Sequence, residues 1–153
     1  MKQNMFFTMD KESLLEKFKD RSSSTLVEAL GIEVTDFGDQ FICGKMPVDH
    51  RTKQPFGLLH GGANVALAET LGSMGAGMQI NLNTHAVVGI EINASHLKSV
   101  TDGWVFGRAT AVRVGRRIQV WEIDIVDEKE NAVCKSRLSL AVIETNDQEP
   151  NTK

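Results

Sequence analysis

The stretch G61-G-A-N-V-A-L-A-E69-T-L-G-S-M-G-A-G-M-Q-I-N-L82 decides the fold. It is dominated by Ala, Leu, Met and Gly, contains no Pro, and is long enough for five or more helical turns, which predicts one central helix over 61–82. Glycines at 72, 75 and 77 lower helix propensity. They also let strands pass close to the backbone, as a helix wrapped by a sheet requires. Beyond Asn83 the pattern turns to β-branched runs, 86–98, 104–114, 118–127 and 132–144, divided by turn signals at 101–103, Gly115 and 128–131. Connections this short leave no room for helices, so the strands are expected to run mostly antiparallel, with the apolar helix covering one face of their sheet.

Upstream, 41–48 reads as a strand paired in a hairpin with one begun by Ile32, Val34 and Phe37, the turn falling at Gly38 and Asp39. Residues 49–59, with Pro55 and Gly57, read as a loop. Leu14, Leu15 and Phe18 recur at helical spacing in 10–20, predicting an amphipathic surface helix. A short helix over 25–30 should follow and stop at Gly31. The fold class is therefore α+β. The expected organisation is a helical extension over 1–24, one domain over 25–145 and a flexible tail over 146–153.

A chain of 153 residues, 41% apolar and 24% charged, suits one soluble domain with a single core. Its 17 basic and 20 acidic residues are mixed along the chain, so no basic footprint points to nucleic acid. Apolar runs fall short of the ~18 residues a membrane helix needs, and 1–10 lacks a signal-peptide apolar region. No membrane partner and a cytoplasmic location are expected. Cys43 and Cys134 stand alone in apolar runs, as small core residues do, and neither a metal site nor a cofactor is expected.

Chemistry concentrates on the central helix. Glu69 is the only ionisable side chain from 61 to 82. A carboxylate in an apolar helix demands partners or a raised pKa unless it lies on an exposed stripe. Residues three and four away are Val65, Ala66, Gly72 and Ser73, so Ser73 is its only polar company. Gly61 and Gly62 bring backbone amides to the helix's positive end, where a carbonyl oxygen gaining charge in acyl transfer would be stabilised. His60 either contacts the same oxygen or caps the helix. Nine residues put His60 and Glu69 on opposite sides of the helix and roughly 13 Å apart. If both serve one site, it must be shared between subunits, which predicts a homo-oligomer.

The segments P55-F-G-L-L-H-G-G-A-N-V-A-L-A-E-T-L-G-S73, V88-G-I-E-I-N-A-S-H96 and G115-R-R-I-Q-V-W-E-I together resemble the hotdog thioesterases of the PaaI-like family. The resemblance spans about 26–143 and is strongest to the enterobactin proofreading and 1,4-dihydroxy-2-naphthoyl-CoA thioesterase group. It implies a hotdog fold, an antiparallel sheet wrapped around one long helix, with chains paired through their sheets and dimers commonly stacked into tetramers. It further implies hydrolysis of acyl-CoA, with Glu69 attacking the thioester or activating water. Gly61 would polarise the carbonyl with His60 nearby, Gln54 would help bind the thioester or orient water, and Ser73 is the residue one turn after the Glu. For the CoA moiety the resemblance points to Val88, Gly89, His96, Lys98 and the Gly115-Arg116-Arg117 turn. Lys98 stands where close relatives often carry Arg, a more directional phosphate ligand.

A thiolate leaves readily without a strong general acid, and no GxSxG signature appears. Hydrolysis is thus the leading reading, with an acyl-thioester dehydratase or hydratase and a non-catalytic acyl-CoA-binding protein as alternatives. The acyl group expected by resemblance is aromatic, hydroxybenzoyl or the 1,4-dihydroxy-2-naphthoyl of menaquinone synthesis.

Overall fold

The computed structural model describes residues 10–145; the tail expected over 146–153 lies outside them. The chain runs α1 (Lys11–Arg21), α2 (Leu26–Ala29), β1 (Glu33–Gly38), β2 (Phe41–Pro47), α3 (Gly61–Met78), β3 (His85–His96), β4 (Trp104–Val114), β5 (Ile118–Asp127) and β6 (Ala132–Glu144). Six strands form one sheet in the order β1-β2-β4-β5-β6-β3, every neighbouring pair antiparallel. α3 packs against β2 through β6, so the sheet wraps the helix in the hotdog arrangement.

Side-chain alternation builds the core. Val105 and Ala109 of β4, Trp121, Ile123 and Ile125 of β5, and Leu138 and Leu140 of β6 are fully buried. They close on Leu67, Ala68, Leu71 and Ala76 of α3. Small residues set the approach distance. A Cβ at Gly72 would lie 2.6 Å from Leu138 Cδ2, and one at Gly75 2.8 Å from the Trp121 ring. Gly77 faces no such contact, the nearest atom being Leu82 Cδ2 at 3.9 Å, so only the first two glycines are demanded by the sheet. Gln119, fully buried, accepts from Trp121 Nε1 (3.0 Å) and donates to the Ala76 carbonyl (3.2 Å), tying β5 to the end of α3.

The helix stops at Met78, four residues before the expected end. Asn81 is the physical reason: its side chain accepts from Asn83 N–H and its carbonyl from Thr84 and His85 N–H, a turn that feeds β3. The tight connections do join neighbours at β1–β2, β4–β5 and β5–β6, but β3 and β4 have β5 and β6 between them. Residues 97–103 cross the end of the sheet, fixed where Leu97 N–H donates to Val133 O and where Val100 and Gly103 carbonyls accept from Leu59 and Val48.

β3 is consequently an edge strand, with Val88 and Ile90 exposed on it. At the other edge, α1 begins at the N-cap Asp10 and lays Phe18 edge-on against Phe37 of β1, ring centroids 5.9 Å apart. Cys134 is buried as expected, whereas Cys43 is only half-buried, beside Arg108. Trp121 is core, and Trp104 is half-buried under the Lys45 ammonium at 4.3 Å.

Candidate active site

α3 turns its core face inward with Asn64, Leu67, Ala68, Leu71, Gly72 and Gly75. The stripe left half-buried includes Val65, Ala66, Glu69, Ser73 and Met74. Glu69 therefore sits on the least covered side of an otherwise apolar helix. Ser73 Oγ donates to Glu69 Oε1 at 3.2 Å, the one-turn partnership implied by their spacing. No Lys, Arg or His among the described residues forms an ion pair with it.

Gly89 lies directly against that carboxylate: a Cβ there would be 2.7 Å from Glu69 Oε1. Ile90, the next residue, is skipped in the β3–β6 register. The bulge aims Gly89 at Glu69 and Ile90 outward. Gly89 thus belongs with the carboxylate, and Val88 beside it is exposed.

The second group forms at the helix's N-terminus. His60 is the N-cap, its Nδ1 accepting from Gly62 N–H at 2.8 Å. Accepting at Nδ1 leaves the neutral ring's proton on Nε2, free to donate. This cap also uses up Gly62, one of the two glycine amides expected to be open. Gly61 N–H alone has no acceptor among the described residues. His96, at the end of β3, abuts the same glycine: a Gly61 Cβ would be 2.8 Å from His96 Nε2.

Gln54 belongs to a tight turn in which its Oε1 accepts from Phe56 N–H and its backbone N–H from the turn donates to Leu58 O (2.8 Å). The turn is anchored, with Thr52 Oγ1 donating to Pro47 O (2.6 Å) and His60 N–H to Thr52 O (2.8 Å). It holds Phe56 out at 88% exposure.

The cations expected around CoA divide. Register places Ile118 beside Ala141 and Ala141 beside Val88, whereas His96 aligns with Cys134 and Ile125. Seven residues of β5 separate the two rows, about 23 Å at ~3.3 Å per residue. Arg116 and Arg117 thus lie at the Gly89 end, and His96 and Lys98 at the opposite end. One chain does not bring them together. Lys98 is ion-paired with Asp127, whose carboxylate also accepts from Lys129 and Asn131 N–H. This set of donors, led by Lys98, holds the Asp127 carboxyl well below its usual range. Arg116 and Arg117 are exposed and have no carboxylate partner among the described residues.

Two features escaped the reading of the sequence. One is His96 against Gly61. The other is a cavity of about 400 Å³ between α1–α2 and α3, walled by Phe18, Val27, Met74, Met78, Leu82 and Val87. Ser73 lines it too, and Arg21 stands on its exposed side. Neither has a local signal, because each depends on segments far apart in sequence.

A half-buried carboxylate, an open helix-terminal amide and an apolar cavity are the parts that acyl transfer uses. Known proteins carry the same framework. The Thioesterase superfamily matches residues 56–134. The proofreading thioesterase EntH of Cronobacter turicensis is 54% identical over 129 residues, 84% of this chain and 93% of that protein. A crystal structure of a thioesterase from Haemophilus influenzae superposes with TM-score 0.83 at 48% identity, covering 90% of this chain and 94% of that one. A Staphylococcus aureus thioesterase has been solved with a glutamine replaced by alanine (TM-score 0.75, 35% identity, 76% and 97% of the two chains). The same protein has been solved with a glutamate fifteen residues further on replaced (TM-score 0.77, 35% identity, 78% and 99%). With its six-stranded antiparallel sheet wrapped on one long helix and these relatives spanning most of its length, the chain belongs to the thioesterase superfamily of hotdog proteins.

Proposed function

We propose that the protein hydrolyses acyl-CoA thioesters to the free acid and CoA, with Glu69 as the catalytic carboxylate, in a site assembled from two copies of the chain. The observation that carries this is the state of Glu69. It lies on the half-buried stripe of an apolar helix, where among the described residues Ser73 is its one hydrogen-bond partner and no cation pairs with it. A structural carboxylate would be paired or solvated. The relative named a proofreading thioesterase supports hydrolysis, and the glutamine and glutamate substituted in the Staphylococcus aureus protein are spaced as Gln54 and Glu69 are.

Glu69 attacks the thioester carbonyl carbon directly or takes the proton of a water that does; both routes need the ionised carboxylate. The carbonyl oxygen, gaining negative charge, is met by Gly61 N–H and by His60 Nε2–H of the other copy, with Gln54 beside them. The C–S bond then breaks and CoA leaves as thiolate; on the direct route a water next cleaves the mixed anhydride left on Glu69, which releases the acid and restores the carboxylate. The CoA phosphates are met by Arg116 and Arg117, which among the described residues have no carboxylate to neutralise them, rather than by Lys98. The acyl group is aromatic, of the hydroxybenzoyl or 1,4-dihydroxy-2-naphthoyl kind. Phe18 and two methionines on the cavity wall suit a ring, and the volume lies at the small end of the ~300–1,000 Å³ usual for small-molecule sites.

The test is Glu69→Gln, which keeps shape and removes basicity. Steady-state release of thiol from a panel of aromatic acyl-CoAs should fall by on the order of 10²-fold or more, with the melting curve little changed. A folded variant that keeps most of its turnover number excludes the assignment.

A further inference from the structure

We propose that the cavity between α1–α2 and α3 receives the acyl part of the thioester and that Arg21 selects acyl groups carrying an anionic substituent, a ring carboxylate above all. This rests on the hydrolytic reading of Glu69. Continuity with the chemistry comes first. Ser73, the hydrogen-bond partner of Glu69, is also part of the cavity wall, so an acyl group whose carbonyl lies at the carboxylate has this space beside it.

The wall then defines what fits. Among the described residues it is apolar apart from Ser22, Thr25, Ser73 and Arg21, and Arg21 is the one charged group of that wall. Phe18 is fixed by its edge-on contact with Phe37, while Met74 and Met78 can adapt to a ring edge. A polar group at the far end of the ring would therefore be left without a strong partner unless it reached the guanidinium.

Arg21 is unengaged: among the described residues it forms no ion pair and no side-chain hydrogen bond. Its place in the last turn of α1 would favour any cation, through the helix dipole. Lys19 serves that purpose as well, however, and it faces a different space. A larger cavity of about 550 Å³ shares the Phe18, Ser22 and Val27 wall and is lined by Lys19 together with Glu12, Glu16, Glu28 and Glu33. No residue of α3 reaches it. Carboxylates thus crowd the side away from the chemistry, and the side joined to Ser73 carries a lone guanidinium. An anionic acyl group is favoured on the second side and repelled by the first.

The test compares two esters of similar shape, 4-carboxybenzoyl-CoA and 4-methylbenzoyl-CoA, with the full chain and thiol release as readout. The wild-type protein should favour the carboxylate by about fivefold in kcat/KM, the size suited to an exposed ion pair. Arg21→Gln should bring the ratio near unity, Arg21→Glu should reverse it, and Arg21→Lys should retain part of it. Lys129→Gln, a distant surface cation, should leave the ratio where it was. A ratio that Arg21→Glu does not move, with both esters hydrolysed, overturns the assignment of cavity and arginine while leaving hydrolysis intact. No thiol from either ester overturns the hydrolytic reading and this proposal with it. Arg21 is exposed, and matched melting curves across the four variants keep a folding defect from imitating either result.

Discussion

Only proline deletes a backbone amide hydrogen, and position 61 accepts proline on backbone grounds. It is the first residue of α3, a favoured site for Pro, and His60 before it has φ −69° and ψ 131°, the extended conformation that a following proline requires. The obstacle is the new Cβ, which would press on the His96 ring, the far end of a side chain able to turn away. Gly61→Ala introduces the same Cβ and keeps the amide. Comparing the two therefore isolates the N–H: Gly61→Pro should lose about 10²- to 10³-fold in kcat relative to Gly61→Ala, as removal of one oxyanion donor does elsewhere. Equal turnover of the two would take the amide out of the mechanism. Glu69, Ser73 and Gly61 could be placed from sequence because helical periodicity converts spacing directly into face and distance. His96 could not. Its contact with Gly61 spans 35 positions and depends on the β3 register, including the bulge at Ile90 that no local signal announces.

At the level of elements, α3 and its wrapping sheet explain why some glycines matter. Replacing Gly75 by Ala should improve helix propensity by about 1 kcal/mol. Its Cβ would nevertheless sit 2.8 Å from the buried Trp121 ring and 3.1 Å from Ile42, with neither free to move. Overpacking of that kind costs about 1–3 kcal/mol, so Gly75→Ala should lower the urea midpoint rather than raise it. The start of α3 and its need for small residues were legible, since His60-Gly61-Gly62 is a local signal. Its end was not, because 79–82 lacks Gly and Pro and only the Asn81 turn shows where the chain departs. The loop before α3 supplies a pH test. Arg51, through its side chain and its N–H, lowers the Asp49 carboxyl to about 2 from 3.8. A depressed folded value means stability that is fully present above about pH 4 and lost as pH falls from about 4 to about 2. Asp49→Asn should therefore melt about 2–4 °C below the wild-type protein at neutral pH, and the gap should close between pH 4 and pH 2. A gap independent of pH would mean that the Asp49–Arg51 ion pair does not support the loop.

For the whole molecule, the two halves of the proposed site do not meet in one chain. Glu69 and Gly61 stand eight residues apart on one rigid helix, a rise of about 12 Å. The same chain ends its sheet on an open edge, β3, with Val88 at 48% and Ile90 at 59% exposure, and holds Phe56 out in the loop before α3. Unpaired edge backbone flanked by apolar side chains is what a second copy would cover. A two-fold dimer would contain two sites, each taking Glu69 from one chain and Gly61 from the other. That arrangement makes a quantitative demand. A chain carrying Glu69→Gln and a chain carrying Gly61→Pro should each be nearly inactive alone. Brought together in one dimer, the two lesions fall in the same site and leave the other site intact. Random pairing makes about half the dimers mixed, each with one working site, so equal co-expression should restore about one quarter of wild-type turnover. Purifying the mixed dimer through two different tags should raise this to about one half, with light scattering reporting the assembly. A site completed within one chain predicts the opposite, since neither chain then holds both groups and no mixture of the two recovers activity.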